Sequence, residues 1–306
     1  METVIKTYNM TKKYDRHFSL DNINLTVKQG DIYGLIGKNG AGKTTILKIL
    51  SGVIPLSSGS IELFGRASEK DINQQRQRMG CIIETPSFFP YLSAKKNLEY
   101  YRLQRGIAGR GCIEEVLQQV GLSEVGNKPF KAFSLGMKQR LGLGLALLGS
   151  PDVLILDEPI NGLDPVGIAE FREILKRLNR ERNITIIISS HILSELSQIA
   201  TVYGFIDKGV FLEENSAAVI NEKCRLYLST IVDDTVKAAI ILEKELGCRD
   251  YIVLNDNIIK IYQYVNDSDV LVQTLVKHGV KVFTVNREGT NLENYFIDMI
   301  GGNASD

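Results

Sequence analysis

From Thr3 to about Glu213, short apolar runs rich in β-branched residues alternate with longer amphipathic segments. Strands covered by helices on both faces read as near-continuous apolar runs, so this alternation predicts an α/β domain on a largely parallel sheet. The clearest strands are DIYGLIG ahead of Gly37, VLILD ahead of Glu158 and ITIIISS ahead of His191. Between Ser93 and Gly149 strand signals fade and helical periodicity takes over, which places a helical insertion at about 88–150. Within it, Lys95 to Leu103 sets Leu98, Tyr101 and Arg102 on one face. The start of that helix, SAKKN, lacks the glutamate three residues after Ser93 that would complete a capping box, so a looser end is expected.

After Asn215 the pattern changes. A strand CRLYLST, a helix DDTVKAAIILEKELG, strands YIVL and IIKIYQYV joined by Asn-Asp-Asn, a helix DSDVLVQTLVKHG and a strand VKVFTVN follow in order. That is βαββαβ, the ferredoxin-like split motif, closed by a helix from Asn291 to Ile300. The expected organisation is therefore one domain over 1–215 and a small α+β domain over 216–306. A chain of 306 residues with 44% apolar content can give each a core. The tail shows no ligand constellation; His278 reads as a helix C-terminal charge, and the tail as a stabilising appendage.

Charge narrows the function. Lysine plus arginine balances aspartate plus glutamate at 36 each, so no overall electropositive field recruits nucleic acid or anionic lipid. The four cysteines, Cys81, Cys112, Cys224 and Cys248, have no metal-ligand spacing, and METVIKTYNM is no targeting signal, which points to reduced thiols in a cytoplasmic protein. LGLGLALLG and ITIIIS reach about half or less of the ~18–20 residues a bilayer-spanning helix needs. If the protein acts at a membrane, another chain does the spanning.

GKNGAGKTT, Gly37 to Thr45, satisfies G-x-x-x-x-G-K-[ST] between a predicted strand and a helical run, the context that motif requires. Gly37, Gly40 and Gly42 let backbone N–H groups turn inward around Asn39, and the helix adds its positive end to a triphosphate. Lys43 reaches toward the β- and γ-phosphates, the Thr44 hydroxyl suits Mg²⁺, and Thr45 completes the cradle. VLILDEP ends a strand in Asp157, placed to hold Mg²⁺ through water, and Glu158, placed to take a proton from an attacking water. Such a pair alone would read as a cap or an ion pair; downstream of this loop it reads as chemistry. His191 ends a third strand at the same sheet edge, where it can donate to a γ-phosphate.

FSLGMKQRLGLGLALLGSP, Phe133 to Pro151, opens a second anion-type helix start, at Ser134 and Gly136, with no ligand of its own. Together, GKNGAGKTT, SLGMKQR, LILDEP, NGLD and SSH, in this order, resemble the ATP-binding cassette of ABC transporters over about residues 1–215. The resemblance implies a Mg²⁺-dependent ATPase that closes as a head-to-tail homodimer around two ATP molecules. In that arrangement Ser134 and Gly136 bind the γ-phosphate held by the other copy. It also implies that Asp164 crosses the dimer interface, that His191 is the switch histidine, and that Tyr14 stacks on adenine.

Two departures from the family pattern stand out: SLGMK at the signature, and Glu84, in CIIETPSFF, where the family carries glutamine. The IIETPSF context is similar to bacitracin-export and lantibiotic-immunity ATPases. A carboxylate ~4 Å from a γ-phosphate meets repulsion of roughly 4 kcal/mol at an effective dielectric near 20, so Glu84 either joins Thr44 and Asp157 as a metal ligand or swings away. The resemblance implies an integral membrane permease that contacts the peptide cargo, with this chain peripheral on the inner face of the cell membrane. Of Phe88, Phe89, Tyr91, Tyr100 and Tyr101, at least half are expected in the core, the rest lining a groove for a permease helix. A soluble cassette ATPase acting on ribosomes or nucleic acid would show tandem cassettes or a long coiled-coil insertion, and a GTPase an NKxD motif; none is seen.

Overall fold

The computed structural model describes residues 2–15, 17–84, 87–254 and 257–301. The chain opens on Thr3–Tyr14 (β1), which pairs antiparallel with His17–Ile23 (β2) and Thr26–Lys28 (β3). After Ile32–Ile36 (β4) and the helix Lys43–Leu50 (α1), Ser58–Leu63 (β5) returns to β1 and completes a four-stranded antiparallel sheet. This sheet is an addition to the parallel one read from the sequence. Its alternation is broken by register shifts at Met10/Lys12, Lys12/Lys13 and Tyr8/Thr11 and by Asn9 in the left-handed region, so a period of two never shows for long.

The second sheet has six strands. After the helix Glu69–Gln75 (α2) it gathers Met79–Ile82 (β6), Val153–Asp157 (β7), Thr185–Ser190 (β8), Val202–Asp207 (β9) and Val210–Ser216 (β10) around β4, in the order β10-β9-β4-β8-β7-β6. All neighbours are parallel except the β9–β10 hairpin. Strands β4 and β8 are buried at every position, as strands covered on both faces must be. Parallel register then brings the C-terminal ends of β4, β7 and β8 to one edge, with Ile36 opposite Ser190 and Asp157 opposite Ser189.

Between β6 and β7 lie three helices, Ala94–Gln104 (α3), Gly111–Gln119 (α4) and Leu135–Leu147 (α5). Helix α3 buries Leu98 and Arg102 as its periodicity predicts, leaves Tyr101 half-buried, and also buries Asn97 completely. Asn97 accepts from the Phe89 N–H at 2.8 Å and donates to the carbonyls of Phe89, Leu92 and Ser93 at 3.1–3.2 Å, tying the aromatic loop to the helix. The Ser93 cap is long, 3.4 Å from Lys96 N, in keeping with the missing glutamate. None of the five aromatics is a core residue: Phe88 and Tyr101 pack edge to face at half-burial, while Phe89, Tyr91 and Tyr100 are exposed. Pro165–Arg182 (α6) and Leu193–Leu196 (α7) complete the cassette's helices.

The chain divides into two compact units at Ala217/Ala218, just past Asn215, where the helix Ala217–Lys223 (α8) begins. In the C-terminal unit, Tyr227–Val232 (β11), Thr235–Lys244 (α9), Tyr251–Val253 (β12), Ile258–Ile261 (β13), Ser268–Lys277 (α10) and Val282–Glu288 (β14) form an antiparallel sheet of order β12-β13-β11-β14. Helices α9 and α10 bury Ala238, Ile241, Leu242, Leu271 and Leu275 against Leu228, Val232, Ile259 and Ile261. His278 closes α10, its Nδ1 2.9 Å from the Thr274 carbonyl, and Leu292–Gly301 (α11) follows the last strand. Among the described residues, no helix is long and apolar enough to cross a membrane.

Candidate functional site

The loop from Gly37 to Gly42 joins buried β4 to α1, and two of its glycines are required by space and conformation. A Cβ on Gly37 would lie 2.6 Å from the Ile206 carbonyl, and Gly42, at φ 112°, caps α1 where a Cβ would strike Leu20. Asn39 and Gly40 sit on the exposed turn between them. The start of α1 carries no side-chain cap and no acidic residue in its first turn, so its N–H groups remain available to an anion. Lys43 is only 4% exposed; its Nζ donates to the Gly37 carbonyl at 2.7 Å and the Lys38 carbonyl at 3.2 Å and lies 3.3 Å from Glu158 Oε1.

Three strand ends converge on this loop. Thr44 Oγ1 donates to Asp157 Oδ2 at 2.7 Å, and Ser189 Oγ donates to Asp157 Oδ1 at 2.6 Å. Glu158 holds the left-handed region, φ 45°, which turns its side chain so that Oε2 lies 2.7 Å from His191 Nδ1 while Oε1 faces Lys43. Lys43, Thr44, Asp157, Glu158 and His191 thus form one connected cluster. Thr45 points elsewhere, its hydroxyl 3.1 Å from Ser19 Oγ on β2.

Glu84 is drawn into a different contact. It is 70% exposed, stands at φ 64°, and forms a 2.6 Å ion pair with Lys48, one helical turn after Thr44. The Lys48 hydrogen bond holds the Glu84 carboxyl below its ordinary range, and the same contact raises Lys48. Sequence reasoning missed Lys48, although its i+4 spacing from Thr44 puts it on the same helix face. It also gave no role to Ser189, although the strand register sets that hydroxyl opposite Asp157. Tyr14, at the end of β1, is 49% exposed with Lys12 Nζ 4.9 Å from its ring centre, and Phe18 presents a second exposed ring under Lys13.

The remaining candidates meet in a separate concavity. Ser134 caps α5 by accepting from Met137 N at 3.3 Å, and Asp164 caps α6 by accepting from Gly167 N at 3.1 Å, with Pro165 as the first helical residue. Ser134, Gly136, Gly162, Asp164 and Arg140 line one cavity to which no residue of Gly37–Thr45 contributes. Leu135 and Val166 stand exposed beside it.

A phosphate-binding loop at the switch edge of a parallel sheet, with paired carboxylates and a histidine on the adjoining strand ends, defines a P-loop nucleotide-binding cassette carrying a helical insertion. Sequence comparison agrees: the family description "ABC transporter" matches residues 20–161. The bacitracin transport ATP-binding protein BcrA of Bacillus licheniformis is 44% identical over 99% of both chains. The lantibiotic transport ATP-binding protein SrtF of Streptococcus pyogenes is 45% identical over 69% of this chain and 90% of its own. Among solved structures, a dimeric post-hydrolysis state of the ATP-binding cassette MJ0796 bound to ADP and Pi superposes at a TM-score of 0.63, with 23% identity over 70% of this chain and 98% of that one. The chain belongs to the ATP-binding subunits of ABC transporters, which bind and hydrolyse ATP.

Proposed function

We propose that this cassette powers export of, or immunity to, a peptide antibiotic of the bacitracin or lantibiotic type through a separate integral membrane permease, which contacts the peptide. The observation that carries this reading is the 44% identity to a bacitracin transport ATP-binding protein across 99% of both chains. Exposed Phe89, Tyr91 and Tyr100, near Glu84 in sequence, suit a permease helix docked on the inner face of the cell membrane.

The residue roles follow from chemistry. The Gly37–Gly42 loop and Lys43 bind the phosphates, Thr45 joins them once its hydroxyl leaves Ser19, and Tyr14 stacks on adenine. Thr44 and Asp157 offer a hydroxyl and a carboxylate 2.7 Å apart, hard oxygen donors that fit Mg²⁺, with Glu84 able to join them once it leaves Lys48. When bound, Mg²⁺ neutralises charge on the transferred phosphoryl group. Glu158 takes the proton from the attacking water, and His191 holds that carboxylate and donates toward the γ-phosphate. Ser134 and Gly136, in their separate concavity, serve the nucleotide of a second copy and Asp164 crosses the interface beside them, so the working form is a head-to-tail homodimer.

The test is a deletion strain challenged with bacitracin and lantibiotics and complemented with wild type or Glu158→Gln. The expected pattern is hypersensitivity rescued by wild type alone. Unchanged sensitivity of the deletion strain to every such peptide overturns the cargo; full protection by Glu158→Gln overturns the assigned base.

A further inference from the structure

Ser189 lies one strand away from both acidic residues of the hydrolytic cluster, and its hydroxyl bonds to the side chain of one and the backbone of the other. It is completely buried in β8 and stands opposite Asp157 in the parallel register with β7. Its Oγ donates to Asp157 Oδ1 at 2.6 Å and accepts from the backbone N–H of Glu158 at 2.9 Å. One hydroxyl therefore uses its single proton on Asp157 and a lone pair on Glu158, which leaves it no freedom to rotate.

The consequences differ for the two partners. Asp157 is held at both oxygens, by Ser189 on one side and Thr44 on the other, so the carboxylate plane is fixed. Glu158 occupies the left-handed region, which a side-chain-bearing residue adopts only when its surroundings hold it there. The Ser189 contact to its N–H is a bond made at that turn from outside β7. From there the Glu158 carboxylate spans Lys43 and His191.

We infer that Ser189 is a positioning residue, a buried hydroxyl clamp that sets the orientation of the Asp157 carboxylate and the left-handed turn at Glu158. It touches neither nucleotide nor metal. The inference rests on the proposed roles of Asp157 as the Mg²⁺-holding carboxylate and Glu158 as the base. It adds the group that aligns both, and it explains why a hydroxyl stands two residues ahead of His191, directly after Ile186, Ile187 and Ile188.

The test uses the full-length Ser189→Ala protein with two readouts besides turnover. In the nucleotide-free protein, hydrogen exchange at the Glu158 amide accelerates by about tenfold, the loss of one hydrogen bond. In a titration of a bound fluorescent ATP analogue, the Mg²⁺ concentration at half-effect rises by about five- to tenfold, while analogue binding in EDTA stays within about twofold of wild type. Ser189→Thr, which keeps the hydroxyl, returns both readouts toward wild type. Wild-type exchange and wild-type Mg²⁺ dependence in Ser189→Ala overturn the inference, and so does an equal loss of binding with and without Mg²⁺, which marks a general packing role. Asp157→Asn separates the two layers. If it leaves Mg²⁺ dependence unchanged, the Asp157 assignment fails, while Glu158 amide exchange still reports on the clamp.

Discussion

Replacing Glu158 by glutamine keeps the side chain's shape and removes its charge and basicity. At 3.3 Å from Lys43 Nζ, the ion pair is worth about 5 kcal/mol of Coulomb attraction at an effective dielectric near 20, before desolvation is subtracted. Glutamine still offers an acceptor to Lys43, and Lys43 keeps its two carbonyl partners, so the net loss in the nucleotide-free protein is about 1–3 kcal/mol. At about 2–4 °C per kcal/mol for a domain of this size, Tm falls by about 2–12 °C. Turnover loses more. General-base catalysis contributes about 10²- to 10⁴-fold, or roughly 3–5 kcal/mol of barrier, and amide oxygen has no useful basicity. Phosphate-release kinetics, equilibrium ATP binding and size-exclusion chromatography with ATP read the three quantities separately: hydrolysis nearly abolished, affinity retained, and a nucleotide-trapped dimer. Turnover within about twofold of wild type would show that another group accepts the proton and that the contacts to Lys43 and His191 are structural.

The Lys48–Glu84 pair yields a pH signature. The folded carboxyl is depressed, so its contribution is present above the ordinary value of 4.5 and is lost as pH falls through the lower folded value. A side-chain NMR titration of Glu84 should move up to the ordinary value in Lys48→Met, and no movement refutes the pairing in solution. Asn97→Leu strips four hydrogen bonds from a fully buried site; the carbonyls of Phe89, Leu92 and Ser93 keep backbone donors, but the Phe89 N–H loses its acceptor, at a cost of about 1–3 kcal/mol by denaturant unfolding. A cost under about 0.5 kcal/mol would mean the loop is held by its aromatics instead. Burial lifts the Cys81 thiol to about 11, so it should resist thiol reagents at neutral pH until the protein unfolds; because the unfolded thiol ionises from 9.0 upward while the folded one does not, its contribution to stability falls as pH rises through that interval. Finally, Lys43→Ala and Gly136→Asp should each abolish hydrolysis, yet mixing them should restore about a quarter of the activity, because mixed pairs rebuild one intact composite site.

Some of this was legible in the chain because the relevant geometry is local. The glycine spacing of GKNGAGKTT encodes a turn and a helix start, and the structure places Gly37 and Gly42 where no other residue fits. Asp157, Glu158 and His191 were legible as a group because parallel strands deliver their C-terminal ends to one edge. Lys48 and Ser189 were not, because each acquires its partner from a segment distant in sequence, Lys48 from Glu84 and Ser189 from β7; Asn97 finds its partners only 4 to 8 residues away, but in an irregular loop that no periodicity encodes. The antiparallel sheet was hidden by the bulges in β1, and the aromatics near Glu84 were over-assigned to the core because hydrophobicity says nothing about which surface covers them.

Three helix starts explain why a single copy is expected to be incomplete. At α1 the N–H groups have no side-chain cap and a lysine buried among loop carbonyls, an arrangement that becomes favourable when phosphate oxygens take over those contacts. At α5 and α6, Ser134 and Asp164 already satisfy one N–H each, so those ends are stable alone and can offer only their remaining donors. In the proposed dimer the uncapped start would hold phosphate more strongly than the two capped ones, and a second copy would bring the capped face over the uncapped one. The Asp164 carboxylate would oppose a phosphate brought against it, whereas Ser134 and Gly136 would not. In the proposed dimer the signature start would therefore be the part suited to the γ-phosphate, and Asp164 the part suited to protein across the interface.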